Sequence, residues 1–210
     1  MKISYKHIVK SIEEKPSINE LSNILFQLGH EHEIENENFL MEITPNRGDC
    51  LSLDGILRDI RHFYTVHLER KIYENDIEDL ELDFDNQSIE FCPKISFLKI
   101  EIDKNISEYK NELKDYFEDL EIDKKNFFTD ISNYVMYETG QPTQCYDAKK
   151  IKSGLSLRQI NKDIDFVTLL SDRINSVAGY REIKLSGKNQ VFMMGDEIIN
   201  LAGIVGGENT

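Results

Sequence analysis

The spacing of apolar residues changes along this 210-residue chain from a helical to a strand-like period, and this change limits the possible folds most strongly. A capping box formed by Ser17 and Glu20 predicts the start of a helix, and Gly29 predicts its end. Ser52 predicts the start of a second helix, in which apolar residues recur every three or four positions as far as Tyr64.

The remaining chain mixes predicted helices with short predicted strands, so the sequence indicates an α+β fold. We expect a small N-terminal α/β domain at residues 1–72 and a mixed-sheet domain at residues 73–210. The other predicted elements are a short strand at Ile3, a strand at 39–44, a turn at 45–49, strands at 88–91 and 95–102, helices at 106–120 and 130–139, and strands at 155–160, 164–169, 173–178, 190–194 and 197–204.

The charge of the chain excludes one class of function. It carries 39 acidic and 25 basic residues, a formal net charge of -14, and the acidic residues concentrate around 74–85. Binding to nucleic acid relies mainly on Lys and Arg contacts to phosphates, so a stand-alone nucleic-acid-binding protein is disfavoured. We interpret the acidic segment as a solvated connector.

Three further features indicate a cytoplasmic protein that does not cross a membrane. Uncharged apolar runs such as 198–207 are much shorter than the roughly 18 residues of a membrane span. The N-terminus lacks the apolar segment and cleavage site of a secretory signal. Three widely separated cysteines, Cys50, Cys92 and Cys145, predict buried thiols in a reducing compartment rather than disulfides or a zinc site.

Histidine is confined to the first third of the chain, so any acid–base chemistry in the last third must use other groups. The five histidines are His7, His30, His32, His62 and His67. The pair His30 and His32 has no third ligand at helical spacing, and we expect no metal and no cofactor. In the last third, Gly203, Gly206 and Gly207 do not match a nucleotide-binding motif, and we predict that they shape the rim of a pocket.

Several separate blocks of sequence, in the same order, resemble a known family. Residues 130–136 (Asp-Ile-Ser-Asn-Tyr-Val-Met), 138–142 (Glu-Thr-Gly-Gln-Pro), Tyr146-Asp147, Arg158 and 202–208 (Ala-Gly-Ile-Val-Gly-Gly-Glu) closely resemble the editing domain of the β subunit of phenylalanyl-tRNA synthetase. Residues 42–52 together with Gly55 resemble the N-terminal domain of the same subunit. The resemblance implies that the predicted second domain is of the editing type.

In that family the β subunit assembles with a catalytic α subunit, and its editing domain hydrolyses tyrosine wrongly esterified to phenylalanine tRNA. The resemblance therefore implies two partners: the tRNA acceptor end, bound weakly by this chain alone, and an α subunit if the chain is part of a longer β subunit. It implies Asn133, Gln144 and Glu208 as the catalytic group, with Glu208 recognising the tyrosine hydroxyl. The implied substrate-binding residues are Ser132, Asn133, Gln141, Gln144, Gly203, Gly206, Gly207 and Glu208.

The chain also departs from the family pattern. Gln144 replaces the usual pocket histidine, and an amide can donate and accept hydrogen bonds but cannot titrate. The arginine that usually precedes the motif is missing from residues 123–127, and no oligonucleotide-binding domain separates Gly29 from Glu42. Since the resemblance stops at Thr210 within the editing domain, we expect either a part of a longer subunit or a reduced free-standing relative.

Three hypotheses remain open at this point. The first is an editing module that hydrolyses mischarged tRNA. The second is a non-hydrolytic remnant that serves as a structural or aminoacyl-adenosine-binding module, and the third is a binder of free amino acids that uses the same pocket.

Overall fold

The computed structural model describes residues 1–66, 78–102, 106, 108–151, 154–168 and 182–207. The chain forms two compact units, each built from two segments. The first unit contains Met1–Glu74 and Asn105–Thr143, and the second contains Asn75–Lys104 and Gln144–Thr210.

Among its described residues, the first unit is a three-stranded antiparallel sheet packed with five helices. Its strand order is β1-β3-β2. Its elements are β1 (Lys2–Ser4), α1 (Tyr5–Lys10), α2 (Ile18–Gln27), β2 (Glu31–Glu35), β3 (Asn38–Glu42), a 3-10 turn (Gly48–Cys50), α3 (Leu53–Phe63), α4 (Asn111–Leu120) and α5 (Phe127–Thr139).

The helix boundaries in this unit follow from local hydrogen bonds. At α2 both halves of the predicted capping box are present, and at α3 the predicted cap Ser52 accepts a hydrogen bond from the amide of Gly55 at 3.0 Å. The helix expected at 130–139 begins earlier, since the side chain of Asn126 caps it by accepting from the amide of Thr129. The helix expected from residue 106 begins at Asn111.

The core explains why α4 and α5 belong to the first unit, whereas the predicted boundary at residue 72 placed them in the second domain. Their aromatic side chains fill the same buried cluster as the apolar residues of α2, α3, β1 and β3, so burial outweighs proximity along the chain. The aromatic contributors are Tyr116 and Phe117 of α4 and Tyr137 of α5, and Tyr109, just before α4, joins them.

The second unit consists of two sheets among its described residues. The larger sheet has the order β10-β9-β8-β5-β4, with β4 parallel to β5, and the smaller pairs β6 with β7. The strands are β4 (Phe84–Asn86), β5 (Leu155–Asn161), β6 (Ile164–Val167), β7 (Glu182–Leu185), β8 (Lys188–Met194), β9 (Glu197–Leu201) and β10 (Val205–Gly206). Helices pack with a sheet in the first unit and the larger sheet of the second unit is mixed, which confirms the predicted α+β class.

Two of the predicted strands are wrong. Residues 88–91 form a turn and residues 95–102 have no regular structure. The side chain of Asn86 explains the turn, because its Oδ1 accepts from the amide of Ser88 at 3.0 Å and its Nδ2 donates to the carbonyl of Cys92 at 2.8 Å. The strand expected at 173–178 lies outside the described residues.

Candidate functional site

The helix α5 carries Ser132 and Asn133, and a buried carboxylate fixes its first turn. Asp130 is completely buried and accepts hydrogen bonds from the hydroxyl of Tyr109 at 2.7 Å and from the amide of Lys125 at 3.0 Å. Burial raises the pKa of Tyr109 to about 12, and the hydrogen bond to Asp130 is the second cause of this shift. The phenol therefore keeps its proton. The predicted site residues therefore stand one turn of helix from a rigid anchor.

The C-terminal end of α5 is fixed just as firmly. Gly140 ends the helix at a φ of 72°, and a β-carbon added there would lie 3.2 Å from the β-carbon of Ser52. The next residue, Gln141, is exposed, and its amide donates to Thr139 Oγ1 at 3.2 Å. Thr143 also donates from its hydroxyl to the carbonyl of Ser132 at 3.1 Å, which folds the following loop back along the helix.

A histidine that is distant in sequence contacts the same helix. His7 Nδ1 and the hydroxyl of Tyr137 share a hydrogen bond of 2.9 Å in the buried interior of the first unit. Burial lowers the pKa of His7, and the nearby carboxylate of Asp119 opposes the shift without cancelling it. His7 is thus a neutral core histidine engaged by α5.

The pKa of Glu138, a half-buried carboxyl group on α5, is raised. Burial raises its pKa, the negative charges of Asp54 and Glu112 raise it further, and the hydroxyl of Tyr134, 3.3 Å from its Oε1, acts in the opposite direction. A carboxyl group shifted in this direction is a candidate for proton transfer.

The remaining predicted site residues belong to the second unit. Gln144 is exposed, and Gly203 occupies a turn at a φ of 72°. Gly206 is buried in β10, and Gly207 forms a bridge with Thr168. Glu208 lies outside the described residues.

Packing explains why a glycine, which has no β-carbon, occupies position 207. A β-carbon there would lie 2.9 Å from the carbonyl oxygen of Ile199 and 3.3 Å from the ring of Phe166. The amide of Gly207 also donates to that same carbonyl at 2.7 Å. This glycine is therefore required by the fold, and its contribution to a pocket rim stays a prediction.

The predicted site thus divides between the two units. Ser132, Asn133 and Gln141 lie in the first, and Gln144 with the three glycines lies in the second. The assembly of these residues into one pocket stays a prediction.

The block at 42–52, which also carries the family resemblance, forms an ionic network within the first unit. Arg47 donates to Asp59 at 2.5 Å and to Asp49 at 3.1 Å, and Arg58 pairs with both carboxylates. Burial raises the pKa of Asp59, but hydrogen bonds from Arg47, Arg58 and His30 together hold it below its ordinary value. The turn expected at 45–49 is confirmed, because the amide of Arg47 donates to the carbonyl of Thr44 at 2.9 Å.

This network contains three potential metal ligands. His30, Cys50 and Asp59 place one ligand atom each within 4.8 Å of one another. However, Arg47 Nη2 lies 2.8 Å from Cys50 Sγ and 2.5 Å from Asp59 Oδ2, so a guanidinium already supplies the positive charge. Burial and the charge of Asp59 raise the pKa of Cys50 to about 11, which disfavours the thiolate that a metal requires. We assign no metal to this cluster.

Local sequence patterns contained no signal for most of these contacts. The partners Tyr109 and Asp130 are 21 positions apart, and His7 and Tyr137 are 130 apart. Only the turn at Arg47 and the caps could be predicted from neighbours in sequence.

Among the described residues, none of the helices has the length and apolar character needed to cross a membrane.

Comparison with known proteins assigns the larger part of the chain to one family model. Residues 92–210 match the model described as the B3/4 domain. The chain is 27% identical over 220 residues to the phenylalanine–tRNA ligase beta subunit of Wolbachia sp. subsp. Brugia malayi, covering 96% of the chain and 27% of that protein. It is 31% identical over 173 residues to the same subunit of Lactobacillus johnsonii, covering 80% of the chain and 20% of that protein.

Among solved structures, an N-terminal fragment of the phenylalanyl-tRNA synthetase beta-subunit from Pyrococcus horikoshii matches 99% of the chain and 62% of that fragment, with a TM-score of 0.44 and 13% identity. The chain spans about a fifth to a quarter of the length of the curated relatives it matches.

Proposed function

The chain belongs to the B3/4 domain family, and from this premise we propose that it is an editing-type module related to phenylalanine–tRNA ligase beta subunits. In this proposal it recognises tyrosine mis-esterified to phenylalanine tRNA and hydrolyses the ester. The observation that supports the proposal is the anchoring of α5, the helix that carries Ser132 and Asn133, by buried Asp130 at one end and by the Gly140 cap at the other. Fixed polar groups are what a substrate pocket requires.

The proposed division of roles follows from the chemistry of each side chain. Asn133 and Gln144 position the ester and the attacking water, and the carboxylate of Glu208 accepts the hydrogen bond of the tyrosine hydroxyl. Ser132, Gln141 and the backbone at Gly203, Gly206 and Gly207 complete the substrate contacts. Because phenylalanine has no hydroxyl, a polar acceptor of this kind can discriminate by up to ~10⁴ in rate.

Hydrolysis in this site proceeds without a histidine base. Gln144 cannot titrate, and His7, the histidine that contacts α5, is buried and bonded to Tyr137. The attacking water is positioned by Asn133 and Gln144, and the neighbouring hydroxyl of the terminal ribose passes a proton from this water to the leaving ribose oxygen as the ester bond breaks. Since general acid–base catalysis contributes typically ~10² to 10⁴ in rate, the reaction should be slow.

The proposal includes two partners. The net charge of -14 supports weak affinity of the isolated chain for tRNA, because few phosphate contacts are available. The relatives are subunits of a tRNA ligase, which supports an α subunit as the second partner where this module is part of a longer subunit.

A second candidate function is a non-hydrolytic structural or aminoacyl-adenosine-binding module. The replacement of a titratable side chain by Gln144 favours it, because the pocket then lacks a base of its own. Binding without turnover is the property that separates the two candidates.

The deciding experiment measures release of tyrosine from tyrosyl-tRNA(Phe) by the wild type and two variants. Gln144→His should raise the rate by about 10-fold or more, since it supplies a base. Glu208→Ala should reduce the preference for the tyrosyl over the phenylalanyl ester, whereas the exposed control Glu182→Ala should leave it unchanged. If the wild type and Gln144→His are both inert but bind a non-hydrolysable tyrosyl-adenosine analogue, the binding module is the correct function.

A further inference from the structure

The strand β2 forms an open edge of the sheet in the first unit. With the strand order β1-β3-β2, one side of β2 pairs with β3, and no described residue pairs with the other side. Hydrogen-bonded and non-hydrogen-bonded positions alternate in an antiparallel ladder, so every second residue of β2 directs its amide and carbonyl outward. Such an edge can accept another strand.

This edge is short and charged, but no bulge, proline or lysine protects it from strand addition. Its register with β3 runs without a bulge from Glu31 opposite Glu42 to Glu35 opposite Asn38, and it contains neither proline nor lysine. Its charges are all negative, so they repel acidic segments and attract basic ones.

The arrangement of the negative charges on β2 and β3 destabilises the sheet when no partner is bound. Glu31 lies directly opposite Glu42 on the same face of the sheet, and Glu33 is the diagonal neighbour. Like charges in these positions destabilise a sheet. None of the ion pairs formed among the described residues includes these three side chains, and residues 16–46 contain no lysine or arginine.

A recess of about 310 Å³ lies beside this edge, and its lining includes carboxylates and an aromatic ring. Its lining residues are Phe26, Glu31, His32, Glu33 and Glu42. The side chain of Phe26 is 52% exposed, and its ring lies 4.4 Å from that of His32. His32 is itself fixed by contacts of 2.8 Å to Ser22 Oγ and 2.9 Å to the carbonyl of His30.

We propose that β2 binds an extended, arginine-bearing peptide segment of a partner protein, which adds a strand to the sheet. Alternate side chains of the added strand point to opposite faces of the sheet, so its guanidinium groups pair with the carboxylates of Glu31, Glu33 and Glu42 on one face, and the intervening side chains contact the exposed ring of Phe26 beside His32 on the other. Arginine suits these carboxylates better than lysine, because its planar group can bind carboxylates in a fork.

Charge complementarity favours a basic peptide over two other possible partners, a nucleic acid and a second copy of this chain. A nucleic acid would place phosphates against the glutamates. A second copy of this chain, paired edge to edge through β2, would bring two rows of glutamates together. A basic extended segment neutralises the row and satisfies the open backbone groups.

The test uses the full chain and a fluorescent peptide of sequence Arg-Val-Arg-Thr-Arg-Val with blocked ends, followed by fluorescence anisotropy. Saturable binding should weaken by roughly tenfold or more in the triple variant Glu31→Gln, Glu33→Gln, Glu42→Gln. The same variant should unfold at a higher temperature than the wild type, since the repulsion is removed.

Two controls distinguish a specific binding site from nonspecific electrostatic attraction. The variant Glu13→Gln, Glu14→Gln, Glu108→Gln loses the same charge at exposed positions away from β2 and should bind the peptide within about twofold of the wild type. A peptide methylated on every backbone nitrogen keeps its charges but donates no backbone hydrogen bond, and it should bind at least about tenfold more weakly.

Equal weakening by both triple variants, equal affinity for the methylated peptide, or absence of saturable binding would each overturn the proposal. So would self-association of the chain in sedimentation that the β2 variant alters. These outcomes are independent of tRNA editing.

Discussion

The two units of this molecule differ in how they bury apolar side chains. In the first, seventeen apolar residues of the described part form one buried cluster, and the completely buried Asp130 accepts hydrogen bonds from Tyr109 and Lys125. In the second, the cluster beneath the sheet contains Phe166, Val191, Met193 and Leu201, whereas large apolar side chains elsewhere in the unit face solvent. The exposed ones include Ile89, Phe91, Leu98, Ile100 and Ile204, each more than 60% accessible.

This difference indicates what each group of family-like residues does. In the first unit the motif residues are held by buried partners, so we expect substitutions there to act on stability first. In the second unit the motif glycines lie near a buried cluster that is smaller among the described residues, so we expect smaller losses of stability and more direct effects on binding.

The largest expected effect tests this comparison with one added methyl group in each unit. A β-carbon at Gly55 would overlap the carbonyl oxygen of Asp49, and the contact involves backbone that cannot move aside. We expect Gly55→Ala to lower the free energy of unfolding by about 3 kcal/mol or more, and Gly207→Ala by about 1 to 3 kcal/mol. Urea denaturation followed by circular dichroism measures both.

The control for this pair is Gly48→Ala, because a β-carbon at Gly48 meets no atom within 4 Å. It should change the free energy of unfolding by less than about 0.5 kcal/mol. Hydrogen exchange of peptides from each unit would locate the loss, and an equal loss for Gly55→Ala and Gly207→Ala would contradict the comparison.

The next effect concerns the anchor of α5. Asp130→Ala leaves the hydroxyl of Tyr109 and the amide of Lys125 without their acceptor in the interior, and we expect a loss of about 2 to 4 kcal/mol. Asp130→Asn keeps an acceptor oxygen and should lose roughly half as much. If both substitutions cost the same, the carboxylate does not anchor the helix through these hydrogen bonds. Thermal unfolding of both variants provides the measurement.

A smaller effect appears in the pH dependence of the first unit. The pKa of His7 is lowered by burial from its ordinary value of 6.5, so the unfolded chain binds a proton more readily than the folded chain. Stability from this group is therefore complete above pH 6.5 and is lost as the pH falls toward the folded value. His7→Gln keeps a hydrogen-bonding partner for Tyr137 but cannot titrate. Its melting temperature should fall less between pH 7 and pH 5 than that of the wild type, and parallel curves would contradict this role.

The smallest expected effect is a gain in stability at the hairpin that joins β2 to β3. Asn36 and Glu37 form its two-residue turn at φ values of 47° and 59°, a backbone region that favours glycine at the second position. Glu37→Gly should stabilise the chain by about 0.5 to 1 kcal/mol, as the exposed ion pair with Lys6 contributes little. Glu35→Gly, within the regular strand, should instead destabilise it, and calorimetry distinguishes the two signs.

The sequence predicted the structure correctly where a feature, such as a helix start or end, depends on residues within a few positions of each other. Ser17 with Glu20, Ser52 with Gly55, and the glycine ends of α2 and α5 are decided by hydrogen bonds that span three or four residues. The alternation of apolar residues at 95–102 is equally local, yet it predicted a strand that does not form. A strand needs a partner, and in the structure β5 pairs with residues 84–86 instead.

The sequence by itself determined the α+β class, most helix boundaries and the family, because periodicity, caps and motif order can be recognised without knowing what packs against what. Only the tertiary structure decided that α4 and α5 complete the first unit, that Arg47 and Asp59 share a partly buried network with His30, and that His7 contacts Tyr137. Each of these contacts joins residues separated by 12 to 130 positions, and the burial of apolar and aromatic surface that brings them together depends on which elements meet and not on the order in which they are synthesised.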